Sequence, residues 1–314
     1  MNDININDIS MYGEHGVEMI DDNIISRNTT FSSEKMAESY AGASNQNILH
    51  NWDMTNPVNQ RGLRTYTSTG HEYFIDRWLT ANRTTAEIVN GGILLIRPDS
   101  APGIIQRIEF PKLYLNNEPY TLSIMLGDGK VISATGILPT SPPINTPIFS
   151  TMPTDDLGMS SIILLTNGNL QVHINGINGK PLLLKAVKLE LGTVSTLAND
   201  PPMDFGRELA ICQRYQVRLT EGTTTRHVRC DFLTVHELRF FIPLPVQMRA
   251  IPTIMSLNSH QFTIHDFPSG VIQTGFTLLL SAHATGMRVR KLKQNHGLTD
   301  AHLNIIGTIF DANL

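Results

Sequence analysis

The chain has 314 residues, with 41% hydrophobic, 7% aromatic and 17% charged residues and a formal net charge of −4. Those numbers allow ordinary cores in one to three domains. They exclude the basic footprint of a nucleic-acid binder, and no apolar run approaches the ~18 residues of a membrane-spanning helix. The low charge leaves Asn, Thr, Ser and Gly to cover the surface, which fits a β-protein working outside the cytosol better than a cytosolic helical enzyme. One local basic run, Arg288, Arg290, Lys291 and Lys293, reads as a solvated strand or turn. The start, Met1-Asn2-Asp3-Ile4-Asn5, has no basic stretch followed by an apolar one, so synthesis in a cytoplasm without a secretory signal is expected. Cys212 and Cys230 have no partner at metal or redox spacing; two buried free thiols are expected, with a disulfide between them left open.

Residues 1–46 are polar and irregular, too poor in apolar residues to build a core. They read as a disordered tail or as an arm that orders against another protein, with a short helix feasible at Ser33–Tyr40. Residues 47–198 read as all-β. Ile104–Phe110 and Tyr120–Leu126 are short apolar runs, and Val187, Leu189 and Leu191 alternate with Lys188 and Glu190 as in a half-buried strand. Asp128-Gly129 and Asn167-Gly168 are dipeptides of type I′ hairpin turns, and Leu164–Val172 is the clearest hairpin. Many strands without a helical period predict a sandwich or jelly roll.

Asp200-Pro201-Pro202 ends the β pattern, and residues 199–219 form a helical connector. Asp204 is the N-cap candidate, its side-chain oxygen accepting from a first-turn amide. Phe205, Leu209 and Cys212 share one face, and Ile211 and Tyr215 form a second pair. Residues 220–314 return to β, with strands predicted at Thr225–Asp231, Val235–Ile242, Val271–Ser281 and Asn304–Phe310. The segment Pro243–Pro252 is a crossover, because proline cannot donate within a central ladder. A second, smaller β-sandwich is expected there, with no internal repeat relating it to the first.

Catalytic signatures are missing. Asp155-Asp156 are adjacent, so on a strand they point to opposite faces instead of flanking a sugar as a glycosidase pair. There is no nucleophile elbow, zinc helix or phosphate loop, and the eleven histidines are scattered. No enzyme is expected. Sugar binding uses an aromatic plane with polar groups beside it. The two tryptophans, Trp52 and Trp78, are the ligand-binding candidates against a packing role in the core; Tyr66, Tyr73, Tyr114 and Tyr120 are weaker ones. Asn59-Gln60-Arg61-Gly62 and Asp76-Arg77-Trp78 read as structural. Arg61 or Arg77 is expected to pair with a buried Asp76, and Gly62 to permit a turn.

Four phrases stand out together. They are Asn47-Ile48-Leu49-His50-Asn51-Trp52-Asp53-Met54-Thr55-Asn56-Pro57-Val58-Asn59-Gln60-Arg61-Gly62, then Tyr73-Phe74-Ile75-Asp76-Arg77-Trp78, then Val187-Lys188-Leu189-Glu190-Leu191-Gly192, and Arg207-Glu208-Leu209-Ala210-Ile211-Cys212-Gln213-Arg214-Tyr215. In order and spacing they resemble a family of bacteriophage and prophage virion proteins: tail-fibre, head-fibre and related appendage proteins with a jelly-roll module like those of carbohydrate-binding proteins. The resemblance covers roughly residues 47–314. It implies a virion protein, made in the bacterial host cytoplasm and anchored through residues 1–46 to a portal, tail, neck or capsid protein. It also implies a homotrimer whose outward part meets a host cell-surface glycan, with neither nucleic-acid binding nor membrane insertion. Jelly rolls of this kind often hold a structural calcium, for which Asp53 and Glu190 stand at corresponding positions. The alternative for that pair is Asp53 capping a turn and Glu190 facing solvent. Two other functions stay open: a purely structural head-fibre, neck, collar or decorating component, and a carbohydrate depolymerase.

Overall fold

The computed structural model describes residues 44–81, 83–219, 226–230, 232–234, 236–255, 262–266, 272–273, 277–294, 298, 301–305 and 309–312. The N-terminal arm expected at 1–46 lies outside them except for its last three residues, as does the short helix at Ser33–Tyr40. Among the described residues no helix is long and apolar enough to cross a membrane.

The first unit is built of strands β1 (Thr65–Thr67), β2 (Tyr73–Ile75), β3 (Trp78–Ala81), β4 (Thr85–Val89), β5 (Gly92–Ile96), β6 (Gly103–Ile108), β7 (Glu118–Leu126), β8 (Val131–Leu138), β9 (Pro147–Ser150), β10 (Ser161–Leu164), β11 (Leu170–Asn175) and β12 (Leu182–Leu191). They form two six-stranded antiparallel sheets, ordered β1-β4-β5-β12-β7-β8 and β2-β3-β6-β11-β10-β9. One apolar core joins their facing sides as in a sandwich. Period-two alternation supplies it: Tyr120, Leu122, Ile124 and Leu126 point inward from β7, and Leu170, Val172 and Ile174 from β11.

Strand β12 shows why alternation alone misleads. Leu182 and Leu184 point inward, and then a register shift between Leu184 and Ala186 flips the parity. Val187 and Leu189 become the inward pair, as one extra residue in a bulged strand requires. The opposite face was expected to meet water, yet Lys188 and Glu190 are both fully buried and Leu191 is exposed. Residues 44–47 and the turn after β12 cover that face. Lys188 Nζ donates to Ser44 Oγ and Thr196 Oγ1, each at 2.9 Å, and to Asp200, and it lies 3.5 Å from Glu190. Glu190 accepts from the Thr196 amide at 2.7 Å and from its hydroxyl.

Both predicted hairpins form, with a different turn. Only Gly129 and Gly168 have positive φ, at 90° and 81°; Asp128 and Asn167 do not. Each loop closes through an amide of the glycine to the residue three before it, Leu126 or Leu165. This is a three-residue loop with a left-handed glycine, not the type I′ turn expected.

The connector is α1 (Phe205–Gln213), with Asp204 accepting from the Arg207 amide at 3.1 Å as its N-cap. Its buried residues are Glu208 and Cys212, with the buried Tyr215 just beyond its end, while Phe205 is exposed. The hydrophobic pattern placed the buried face one turn-phase away. The reason is polar: Glu208 accepts the Asn51 amide and turns inward to do so.

The remaining strands are β13 (Gln216–Arg218), β14 (Arg226–Arg229), β15 (Phe232–Leu233), β16 (Glu237–Pro243), β17 (Thr253–Met255), β18 (Phe262–Asp266), β19 (Ile272–Gln273), β20 (Thr277–His283), β21 (Gly286–Leu292), β22 (Ala301–Ile305) and β23 (Ile309–Asp311). Their three small sheets, β13-β23-β17, β14-β22-β18-β19 and β15-β16-β21-β20, surround a second core that includes Phe240, Phe262 and Phe310. The basic run is not simply solvated. Arg290 bonds Glu237 at 2.5 Å, and Lys291 is buried with its ammonium 2.8 Å from the Phe262 carbonyl. Cys212 is buried, and Cys230 is half-buried with its thiol 3.3 Å from the Arg239 carbonyl.

Replacing Lys188 by Met leaves Glu190 and Asp200 buried without their cation. The expected cost is about 3–5 kcal/mol, measured as a loss of unfolding free energy in urea. A loss below about 1 kcal/mol would mean that the network does not hold this face closed.

Candidate functional site

The four phrases meet in space. Asn51, at φ 53° in the left-handed region that Asn tolerates, is fully buried. Its amide nitrogen donates to the Val58 carbonyl at 2.9 Å and the Asp76 carbonyl at 2.7 Å, and its oxygen accepts the Val58 amide at 2.7 Å. Trp78 Nε1 donates to the Asn51 carbonyl at 2.8 Å. Asn47 ties the segment to β12, donating to the Val187 carbonyl at 3.0 Å and accepting the Leu189 amide at 3.1 Å.

Asp76 is buried, but the expected arginine pair is not what satisfies it. Gln60 donates to it from its backbone at 3.2 Å and from its side chain at 2.6 Å, and the same side-chain nitrogen reaches the Gln216 carbonyl at 2.7 Å. Arg61 instead lies 3.6 Å from Asp311, and Arg77 stacks its guanidinium on Tyr215 at 3.5 Å from the ring centroid. Geometry decides this, since an amide fork at Gln60 reaches both carboxylate oxygens while each guanidinium is drawn off to an aromatic or an acid elsewhere. Burial pushes the Asp76 carboxyl up to about 6 against the opposing pull of Gln60, Arg61 and Arg77. Gly62, at φ 76°, lets Arg218 close over this turn; a Cβ there would sit 2.6 Å from its Nη1.

Tyr215 carries the junction into the C-terminal unit. Its hydroxyl bonds Glu109, which also lies 3.4 Å from Arg249 and 3.8 Å from Arg214. Arg249 donates to the Ala312 carbonyl at 3.0 Å, and the Ala312 amide to the Tyr215 carbonyl at 2.7 Å. The sandwich, the helix and the second core are therefore bonded at one place.

Two cavities flank this junction. A cleft of about 500 Å³ runs between residues 44–52 and α1, with Trp52, His50, Asn45, Asp200 and Arg207 in its walls. Trp52 is half-buried, resting on the core while its own carbonyl accepts the Val187 amide at 3.1 Å. Trp78, the other ligand candidate, is fully buried and presents no face to a ligand. A smaller cavity of about 170 Å³ is lined by His50, Arg77, Arg107, Phe110, Tyr114 and Arg214 among others. Of the weaker aromatic candidates only Tyr114 reaches either cavity; Tyr66 packs edge-on against Phe74 and Tyr120 is core. Sequence reasoning missed His50, Phe110 and Arg214, whose convergence depends on chain crossings between three segments.

The calcium candidates are not gathered. Asp53 caps a turn, accepting from the Thr55 amide at 2.9 Å and its hydroxyl at 2.6 Å. Its bridge partner on β12 is Ala186, four residues before Glu190, a separation of about 13 Å along a strand. Glu190 already faces the Lys188 ammonium, which supplies the positive charge a metal would otherwise bring. Among the described residues no group of three or more His, Cys, Asp or Glu could hold a metal ion. Asp155 and Asp156 lie exposed in a loop, the latter 3.2 Å from Lys130.

No protein-family model matches the chain, and no curated protein matches it.

Three measurements follow from this geometry. Asn51→Ala leaves the Val58 amide and the Asp76 carbonyl without their partner and adds left-handed strain, so a loss of about 3 kcal/mol in unfolding free energy is expected. For Asp76 the folded carboxyl titrates above its unfolded value, so the folded state binds the proton more tightly. As pH falls from 7 to 4, wild type should therefore gain about 1–3 kcal/mol relative to Asp76→Asn; a pH-independent difference would mean that Asp76 titrates normally. Chelator treatment should leave the melting temperature unchanged, and a fall that calcium restores would reveal a bound metal.

Proposed function

We propose that this chain is a fibre-type virion appendage that attaches a phage particle to a host-surface glycan without breaking a bond. The observation that carries the reading is the convergence of the four phrases at one junction, beside a tryptophan-walled cleft. The residues through which the sequence resembles appendage proteins are among those that bond the two β-units to each other. A rigid arm transmits attachment to a particle, and a half-exposed indole beside polar groups is the surface a sugar ring stacks on.

The first unit is read as a jelly roll. Its inner neighbours β5-β12-β7 and β3-β6-β11 are non-consecutive in sequence and cross between sheets. The second unit is read as a smaller sandwich. Residues 1–46 serve as the docking arm toward a portal, tail, neck or capsid protein. The assembly is a homotrimer in which three weak sites on one body gain avidity.

A second reading has its own support. The buried parts of the phrases serve packing and hydrogen bonding, which fits a purely structural head-fibre, neck or decorating component. The two readings differ at Trp52. If the cleft binds glycan, Trp52→Ala abolishes retention on a host-surface glycan column while the melting temperature stays within a few degrees. Antibody labelling of virions with the C-terminal unit as target, together with light scattering, tests the rest. A trimer on tail tips supports attachment, a trimer on head or neck with no glycan retention supports the structural reading, and a monomer absent from virions overturns both.

A further inference from the structure

The smaller cavity has a chemistry that the cleft lacks. The two are adjacent, because His50 lines both. At the base of the smaller one lies Arg77, 2% exposed, whose Nη2 donates to the Arg107 carbonyl at 2.7 Å. Its Nε and Nη1 have no hydrogen-bond partner among the described residues. Both atoms are closed to solvent and the guanidinium stacks on Tyr215, so Arg77 offers the cavity its positive charge and not a hydrogen bond.

The surrounding charge points the same way. Arg77, Arg107 and Arg214 line the cavity against one carboxylate, Glu109. That carboxylate is already engaged by the Tyr215 hydroxyl and by Arg249 and Arg214. The Arg214 side chain is 46% exposed, so its guanidinium stands at the mouth. His50 adds no positive charge at neutral pH: burial and nearby Arg77 push it down to about 4. Its backbone is pinned on both sides by Gln106, at 2.8 and 2.7 Å.

The lip carries an aromatic in an unfavourable conformation. Phe110 is 61% exposed and sits at φ 52°, directly before Pro111. A residue before proline favours extended backbone, and a bulky residue resists the left-handed region. Such strain concentrates at functional sites. Tyr114 lines the same cavity, together with Arg77, Arg107 and Arg214.

We propose that this cavity binds the carboxylate of an acidic sugar residue, within a glycan whose neutral part lies along Trp52. An aromatic lip takes the apolar face of the ring, and a planar guanidinium matches a planar carboxylate. The inference rests on the reading that the cleft binds glycans, and it adds the chemical class. A hexuronate and a sialate both carry this group, so both serve as probes.

The test is calorimetry on the full chain with oligogalacturonate and with polysialate, each beside its methyl-esterified form. The acid form of one probe should bind about 10–100-fold more tightly than its ester, and added salt should narrow the gap. Arg214→Gln should remove most of that gap, Phe110→Ala should weaken both forms, and Trp52→Ala should weaken both without removing the preference. Thermal melts check that each variant is folded; Arg214 is exposed enough that its replacement leaves the core untouched. Equal binding of acid and ester, or a preference that Arg214→Gln does not change, overturns this inference and leaves the glycan reading intact. Binding of neutral glycans alone at Trp52 does the same. Failure of every saccharide to bind overturns both.

Discussion

The structure depends on a buried asparagine and a stacked arginine. Asn51 satisfies three backbone groups that no strand ladder can reach, and by doing so fixes where Asp76 and Arg77 lie. Arg77 then meets Tyr215 face-on at 3.5 Å. A cation over a ring in a dry setting is worth about 2 kcal/mol, and here it spans the sandwich and the connector. The stack works with the Glu208–Asn51 hydrogen bond to orient the helix, whose buried members are Glu208 and Cys212.

Cavity walls and scaffold share residues for a physical reason. Where two β-units meet, side chains from several segments converge, and the space they leave is concave. His50, Trp52 and Arg77 each have one side committed to the junction and another toward a cavity. A site built this way is held in place by the fold's own hydrogen bonds, which lowers the entropy lost when a ligand orders it. The same sharing explains why the buried atoms of the most recognisable phrases hold the junction while their exposed faces line the cavities.

Much of the fold was legible in local pattern. The strands read at 120–126, 187–191 and 235–242, the hairpin at 164–172 and the Asp204 cap follow from alternation, turn dipeptides and a side-chain acceptor, all read within a few residues. Apart from the turn type of the two hairpins, the errors share one cause. The second face of β12 was read as wet because Lys188 and Glu190 are charged, yet residues 44–47 come back from far away to cover it. The helix was phased on its apolar residues, yet a hydrogen bond to Asn51 turned Glu208 inward. Asp76 was paired by charge, yet Gln60 reached it with a better fork. In each case a polar contact between residues distant in sequence outweighed a local preference.

The sequence by itself determined the class of fold, because period-two burial and positive-φ glycines act over neighbouring residues and need no partner. It also marked Trp52 and Trp78 together as ligand candidates, without separating them. Only the tertiary structure decided which of the two tryptophans keeps a face to offer, since exposure is a property of what packs against a side chain. It alone brought His50, Phe110, Arg77 and Arg214 to one cavity, because these come from four separate stretches of chain. Their meeting is set by sheet order and by the Arg77–Tyr215 stack, and neither is encoded in any short window of residues.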